Sequence, residues 1–199
     1  MTKAETYLTI SQQGEGLYKE KGSKFIAYAI PVQTVEEIKE IVKEYQKQYY
    51  DARHVCYAYM LGADREEFRA NDDGEPSGTA GRPILGQINS RNLTNVLVIV
   101  IRYFGGILLG TGGLIVAYKQ AAAEALDAAG QVEKIVEMTH EVYFEYQHMN
   151  DVMRIIKEED ATILNNQFNE TCQTTFQVPK AREQRLIQRM KDLRTVKIE

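Results

Sequence analysis

A chain of 199 residues exceeds the usual single-domain size of roughly 100 to 150, and 44% hydrophobic beside 26% charged residues supplies core material for two compact units, which excludes a disordered chain. A net charge of −4, from 24 Lys and Arg against 28 Asp and Glu, excludes nucleic-acid binding spread over the whole surface, because such affinity comes from many cationic contacts to phosphate. Two cysteines, Cys56 and Cys172, with no CxxC pair and only His54, His140 and His148 as histidines, exclude a disulfide framework and a zinc site, so neither metal nor cofactor is expected.

Residues 1–13 lack the basic and apolar stretches of a secretion signal. The longest apolar run, residues 96–101, is far below the roughly 20 needed to cross a bilayer and is stopped by Arg102. A reduced, cytoplasmic protein with no membrane contact is the expectation.

In chain order, residues 7–11 and 24–32 read as strands of one sheet, the second alternating between Gly22 and Pro31. Thr34 and Glu37 fit a capping box, and Val35, Ile38, Ile41, Val42 and Tyr45 recur at helical spacing, predicting a helix to about residue 49 whose apolar stripe covers that sheet. Residues 55–61 and 66–71 read as a hairpin. Residues 72–81, DDGEPSGTAG, are loop chemistry, and Arg82-Pro83 suits the start of a short helix to about residue 89. The β-branched run over 95–103 predicts a central strand buried on both faces. It leads into a glycine loop, FGGILLGTGGL over 104–114, and an alanine-rich helix over 115–129 that Gly130 ends. A domain boundary is placed there, giving domains 1–130 and 131–199.

Beyond it, residues 133–146 alternate as one long strand, 150–159 form a helix, 162–168 and 171–178 a hairpin, Pro179 opens a further helix, and 196–198 close with a strand. This βαββαβ order is that of a ferredoxin-like split unit, so the whole reads as a two-domain α+β protein.

Three places carry chemistry. A glycine loop between a buried strand and a helix can receive an anion on backbone N–H groups, which makes Gly105, Gly106, Gly110, Gly112 and Gly113 candidates, although their spacing fits neither a Walker A loop nor a dinucleotide fingerprint. Arg102 beside that loop would complete a forked anion receptor, unless it pairs with Asp72, Asp73 or Glu75. Close helix-to-sheet packing is the alternative use of the glycines. In the second place, His54, Asp72, Asp73 and Glu75 are candidates for acid–base work; the acids fit no EF-hand spacing, and His54 with Cys56 on one strand face reads more readily as a buried thiol beside a bonded histidine than as a nucleophile pair. In the third, Arg182, Arg185 and Arg189 share a helix face that could meet RNA or an acidic partner, or simply solvent.

KGSKF at 21–25, DARH at 51–54, DDGEPSGTAG at 72–81 and RYFGGxxLGxGGL at 102–114 together closely resemble the signatures of the YigZ/IMPACT family. The resemblance spans the chain. It implies a first domain with the fold of ribosomal protein S5 domain 2 and a second like domain V of elongation factor G. Eukaryotic relatives regulate translation by binding the activator of a kinase that phosphorylates an initiation factor. The expectation is thus a non-enzymatic, translation-associated binding protein contacting the ribosome, RNA or a translation factor. Its ligand surface would comprise Ser77, Thr79, Arg82, Arg102 and the two glycine loops, with room for an anionic small ligand. The alternative is an enzyme acting on a phosphorylated or peptide substrate in the first domain's pocket.

Overall fold

The computed structural model describes residues 5–168, 171–194 and 196–199. Part of the N-terminal reading, residues 1–4, and residues 169 and 170 of the expected hairpin therefore lie outside the described residues. The chain divides into two compact units, one of Tyr7–Lys134 and one of Ile135–Glu199 with the residues up to Thr6.

Along the first unit run β1 (Thr6–Ile10), β2 (Gly14–Glu20), β3 (Ser23–Pro31), α1 (Val35–Gln48), β4 (His54–Leu61), β5 (Glu67–Asn71), α2 (Gly81–Ser90), β6 (Val96–Tyr103), α3 (Gly110–Ala129) and β7 (Gln131–Ile135). A five-stranded antiparallel sheet has the order β2-β3-β6-β4-β5. As its β-branched run predicts, β6 lies at the centre with helices on both faces. Val96, Val98 and Val100 point toward α2 and α3, while Leu97, Ile99 and Ile101 point toward α1, and all six are fully buried. Each such side chain contributes about 1.5–3 kcal/mol through removal from water.

The α1 helix starts where its capping pattern says. The Glu37 N–H donates to Thr34 Oγ1 at 3.2 Å, and the Glu37 carboxylate accepts from the Gln33 N–H, one residue earlier than a strict capping box. Ile38 and Val42 then bury against the odd-numbered face of β6.

Three expectations change. Residues 7–11 do not join the sheet of β3: β1 pairs with β7, and the neighbour of β3 is β2, a stretch to which no element is assigned above. Two glycines and the absence of β-branched residues hide β2, and α3 explains them. A Cβ on Gly14 would meet the Ala125 carbonyl at 2.2 Å, and one on Gly16 the Ala125 nitrogen at 2.6 Å, so this alanine-rich helix lies directly on the strand backbone at its two glycines. Secondly, α3 begins at Gly110, which places Gly110, Gly112 and Gly113 in its first turn rather than in a loop. Thirdly, the single long strand over 133–146 is two strands interrupted at Val136.

In the second unit, β8 (Glu137–Phe144) leads through a 3₁₀ turn (Tyr146–His148) to α4 (Met149–Glu158), β9 (Thr162–Phe168), β10 (Cys172–Pro179), α5 (Lys180–Asp192) and β11 (Lys197–Ile198). The sheet order is β11-β8-β10-β9, antiparallel throughout, with β10 inserted between the two strands that α4 connects. Val142, Phe144, Phe176, Ile155, Leu186 and Met190 form its core. Both units combine helices with antiparallel sheets, which makes the protein α+β. No helix among the described residues is long and apolar enough to cross a membrane.

Candidate functional site

Register builds the site. Phe25 on β3 and His54 on β4 are both directly opposite Arg102 on β6, so the three side chains form one row on the face that α2 and α3 cover. Arg102 extends the Val96, Val98, Val100 series by one step, and a guanidinium so placed needs a partner because the face is dry. Glu75, from the loop after β5, supplies it. Arg102 Nη1 donates to Glu75 Oε1 at 2.6 Å, with side-chain exposures of only 7% and 2%. The Tyr118 hydroxyl on α3 donates to the same oxygen at 2.8 Å, and Cys56 Sγ lies 3.4 Å from that hydroxyl. The guanidinium carbon is 5.6 Å from the Phe25 ring centroid and 5.7 Å from that of Phe104. Its Nε is buried without an acceptor among the described residues.

Next to this pair lies a cavity of about 350 Å³. Arg53, His54 and Arg102 line one side, Gly74, Glu75 and Pro76 another, and Phe104, Leu108, Leu109, Gly110, Thr111 and Leu114 the rest. The start of α3 reaches it through Gly110 and Thr111, and no side chain caps that helix end. The first-turn N–H groups and the positive end of the helix dipole therefore contribute to the cavity's electrostatics.

The acidic loop is organised by its own backbone. Asp72 accepts N–H bonds from Gly78 at 2.8 Å, Ala80 at 3.1 Å and Gly81 at 2.8 Å, so it fixes the loop and the start of α2. Burial pushes its carboxyl up, but these N–H groups and the Arg82 charge outweigh that and hold it below the ordinary range. Asp73 accepts the Val55 N–H at 2.6 Å, and its own carbonyl accepts from His54 Nδ1 at 2.6 Å, which leaves His54 Nε2 3.8 Å from Glu75. The three acids thus point to three different places. Burial drives the Cys56 thiol far above its ordinary value, despite the Tyr118 hydroxyl nearby, so it is no thiolate nucleophile.

Of the residues named from sequence, the cavity gathers His54, Glu75, Arg102 and Gly110. Arg82 is exposed in the first turn of α2 and does not line it. Ser77 is exposed, and the Thr79 hydroxyl donates to the Pro76 carbonyl. Gly112 and Gly113 face a separate groove beside Tyr18, Glu20 and Lys21. Gly105 serves a close approach: a Cβ there would sit 1.9 Å from the Gly22 carbonyl carbon, while a Cβ on Gly106 would meet nothing within 4 Å. Pro76, Phe104, Leu108, Leu109 and Leu114 fall inside the two glycine loops expected to form the ligand surface, and Arg53 inside the motif at 51–54, but none of them was singled out as a contact. The Leu108-Leu109 pair inside a glycine loop is the signal that could have pointed to an apolar wall.

In the second unit, Arg182, Arg185 and Arg189 face acids from the end of α4. Arg182 pairs with Asp160 at 2.8 Å, Arg185 with Glu159 at 3.1 Å, and Arg189 with Glu159 at 2.6 Å and with Glu158. Three cations meet three anions there, and any phosphate would compete with those carboxylates.

The molecule is therefore a two-unit α+β protein whose first unit holds a cavity beside a buried arginine–glutamate pair. Residues 21–126 match the family described as the Impact N-terminal domain. "IMPACT family member YvyE" of Bacillus subtilis (strain 168) is 42% identical over 136 residues, covering 68% of this chain and 63% of that protein. "IMPACT family member YigZ" of Escherichia coli (strain K12) is 33% identical over 164 residues, covering 81% and 80%. A solved structure titled "Crystal structure of an hypothetical protein" superposes with a TM-score of 0.77 at 29% identity, covering 98% of this chain and 97% of that one. This chain belongs to the IMPACT family.

Proposed function

We propose that the protein is a non-enzymatic, cytoplasmic binding protein associated with translation, and that the cavity beside Arg102 receives the group by which it recognises its ligand or partner. The observation that carries this reading is the cavity's inventory: it offers cationic donors and an uncapped helix start, while the nearby thiol is buried with its proton held on. Family membership supports the link to translation, given the role the resemblance implies for eukaryotic relatives. We also assign the first unit to the fold of ribosomal protein S5 domain 2 and the second to the ferredoxin-like class resembling domain V of elongation factor G. The βαββαβ order with strands arranged β11-β8-β10-β9 supports the latter. Fold alone does not carry the function.

One observation favours a second reading, an enzyme acting on a phosphorylated or peptide substrate: His54 Nε2 borders the cavity next to Glu75. Affinity capture with the tagged full chain from its own lysate, at low and moderate salt, separates the two. Ribosomal components, RNA or a translation factor recovered by the wild type and lost with a folded Arg102→Lys variant support the binding protein. Turnover of a retained phosphometabolite or peptide that disappears in a His54→Ala variant would establish the enzyme instead.

A further inference from the structure

Helix α1 leaves a corner of its sheet face uncovered. Ile38 and Val42 anchor the helix over β6, while Tyr57 and Tyr59 of β4 continue to Asn71 and Arg69, directly opposite them on the edge strand β5. The corner is a trough of about 230 Å³. Three turns of α1, from Val35 to Gln46, line it, so the helix runs along the trough with the two tyrosines as floor and Arg69 on the far side. We propose that this trough and the outer edge of β5 dock an acidic segment of a protein partner in extended conformation. The surface lies on the opposite face of the sheet from the Arg102 cavity and stands independently of it.

Charge is the first reason. Lys39, Lys43 and Arg69 line the trough, and none of them pairs with a carboxylate among the described residues. Asp73, the one carboxylate among the described lining residues, accepts the Val55 N–H at 2.6 Å. Three cations against one carboxylate leave two formal positive charges, in a protein whose net charge is −4. The strand edge is the second reason. Among the described residues β5 pairs with β4 alone, and no other hydrogen bond reaches the backbone of residues 67–71. Glu67, Phe68, Arg69 and Ala70 are all exposed, so a row of N–H and C=O groups faces outward, ready to take a further strand.

Strand periodicity joins these two features into a sequence rule. A peptide added to β5 sends alternate side chains to the α1 face and the others to the opposite face. The α1 face offers the three cations, and the opposite face offers Phe68, 58% exposed, and Ala70. Lys39 and Lys43 are separated by about 6 Å along the helix axis, and alternate residues of a strand by about 6.6 Å. Two acidic residues flanking one apolar residue therefore match the site. A nucleic acid suits it less, because Glu36 and Glu40, one turn from Lys39 and Lys43, and Glu67 on β5 surround the trough with negative charge. A continuous polyanion also has no backbone N–H to give the strand edge.

The test is an NMR titration of the isotopically labelled full chain with acetyl-Ser-Val-Glu-Val-Glu-Val-Ser-amide. Saturable shifts at Lys43, Arg69 and Ala70 are expected. The peptide with Gln in place of Glu should bind about ten-fold more weakly, as should the rearranged Ser-Val-Val-Glu-Glu-Val-Ser peptide, whose acids point to opposite faces. Raising NaCl from about 50 to about 500 mM should weaken binding. N-methylation of alternate residues should abolish binding in one phase and be tolerated in the other, because every second N–H faces β5. Lys39→Glu/Lys43→Glu, at exposed helix positions, should lose the Glu peptide and gain the corresponding Lys peptide. Equal binding of the Glu and Gln peptides, equal effects of the two methylation phases, or no saturation by about 1 mM overturns the proposal. Tighter binding of the thymidine trinucleotide TpTpT, which carries the same two charges, would assign the trough to nucleic acid instead. Shifts of β5 resonances with the protein's own concentration, and not with peptide, would assign the edge to a second copy and likewise overturn it.

Discussion

Glu75→Gln removes one negative charge from the floor of the cavity while preserving shape and an acceptor oxygen. Glu75 Oε1 receives both Arg102 Nη1 and the Tyr118 hydroxyl, and only 2% of its side chain reaches solvent. Two unit charges about 4 Å apart at an effective dielectric of about 20 attract by about 4 kcal/mol, and breaking a buried pair costs about 3–5 kcal/mol. The amide oxygen still accepts from the guanidinium, which restores about 1.5 kcal/mol. The expected destabilisation of the first unit is therefore about 2–3 kcal/mol. Equilibrium urea unfolding followed by near-ultraviolet circular dichroism reads this unit selectively, because the chain has 12 tyrosines and no tryptophan, and only Tyr143 and Tyr146 lie in the second unit. A Glu75→Gln/Arg102→Met double variant should recover much of the loss, since it leaves no buried charge unpaired. A single variant within about 0.5 kcal/mol of wild type, a size typical of surface substitutions, would refute the buried-pair reasoning.

Asp72→Ala should destabilise the first unit by about 2 kcal/mol by removing the acceptor of three backbone N–H groups, measured by the same unfolding assay. Folding holds this carboxyl below its ordinary value, so its contribution is complete above about pH 4 and lost as pH falls further, and the gap between variant and wild type should close in acid. Gly105→Ala should cost about 3 kcal/mol or prevent folding, because its methyl would overlap the Gly22 backbone; a normal urea midpoint would contradict that contact. Neither Cys56 nor Cys172 should react with a thiol reagent at pH 8 until urea unfolds the chain, since both are buried and the Cys56 thiol is pushed up; rapid labelling of native protein would count against the buried Cys56–Tyr118 contact.

Much of the fold could be read where a single local rule dominates. The capped, amphipathic α1 and the β-branched β6 follow from spacing alone, and so do the elements of the second unit apart from the break at Val136. Gly14 and Gly16 hid β2 because their reason lies more than 100 residues away, in the alanines of α3. The site was legible in its parts rather than its assembly. Arg102, Glu75 and His54 stood out by type, but choosing Glu75 over Asp72 or Asp73 as the partner required the loop's hydrogen bonds, and placing His54 beside Arg102 required strand register. Arg82 stood out by the same chemistry and stays on the surface. The arginines of α5 were visible as a helix face, whereas their carboxylate partners come from the end of α4, which helical periodicity does not reveal.

Cosedimentation of the full chain with ribosomal particles from its own cells, compared between wild type and a folded Arg102→Lys variant, tests the binding function most directly. Wild-type protein should travel with the particles or their associated factors and the variant should remain at the top of the gradient. Both proteins remaining at the top, or both sedimenting equally, would contradict a translation-associated role that depends on the Arg102 cavity.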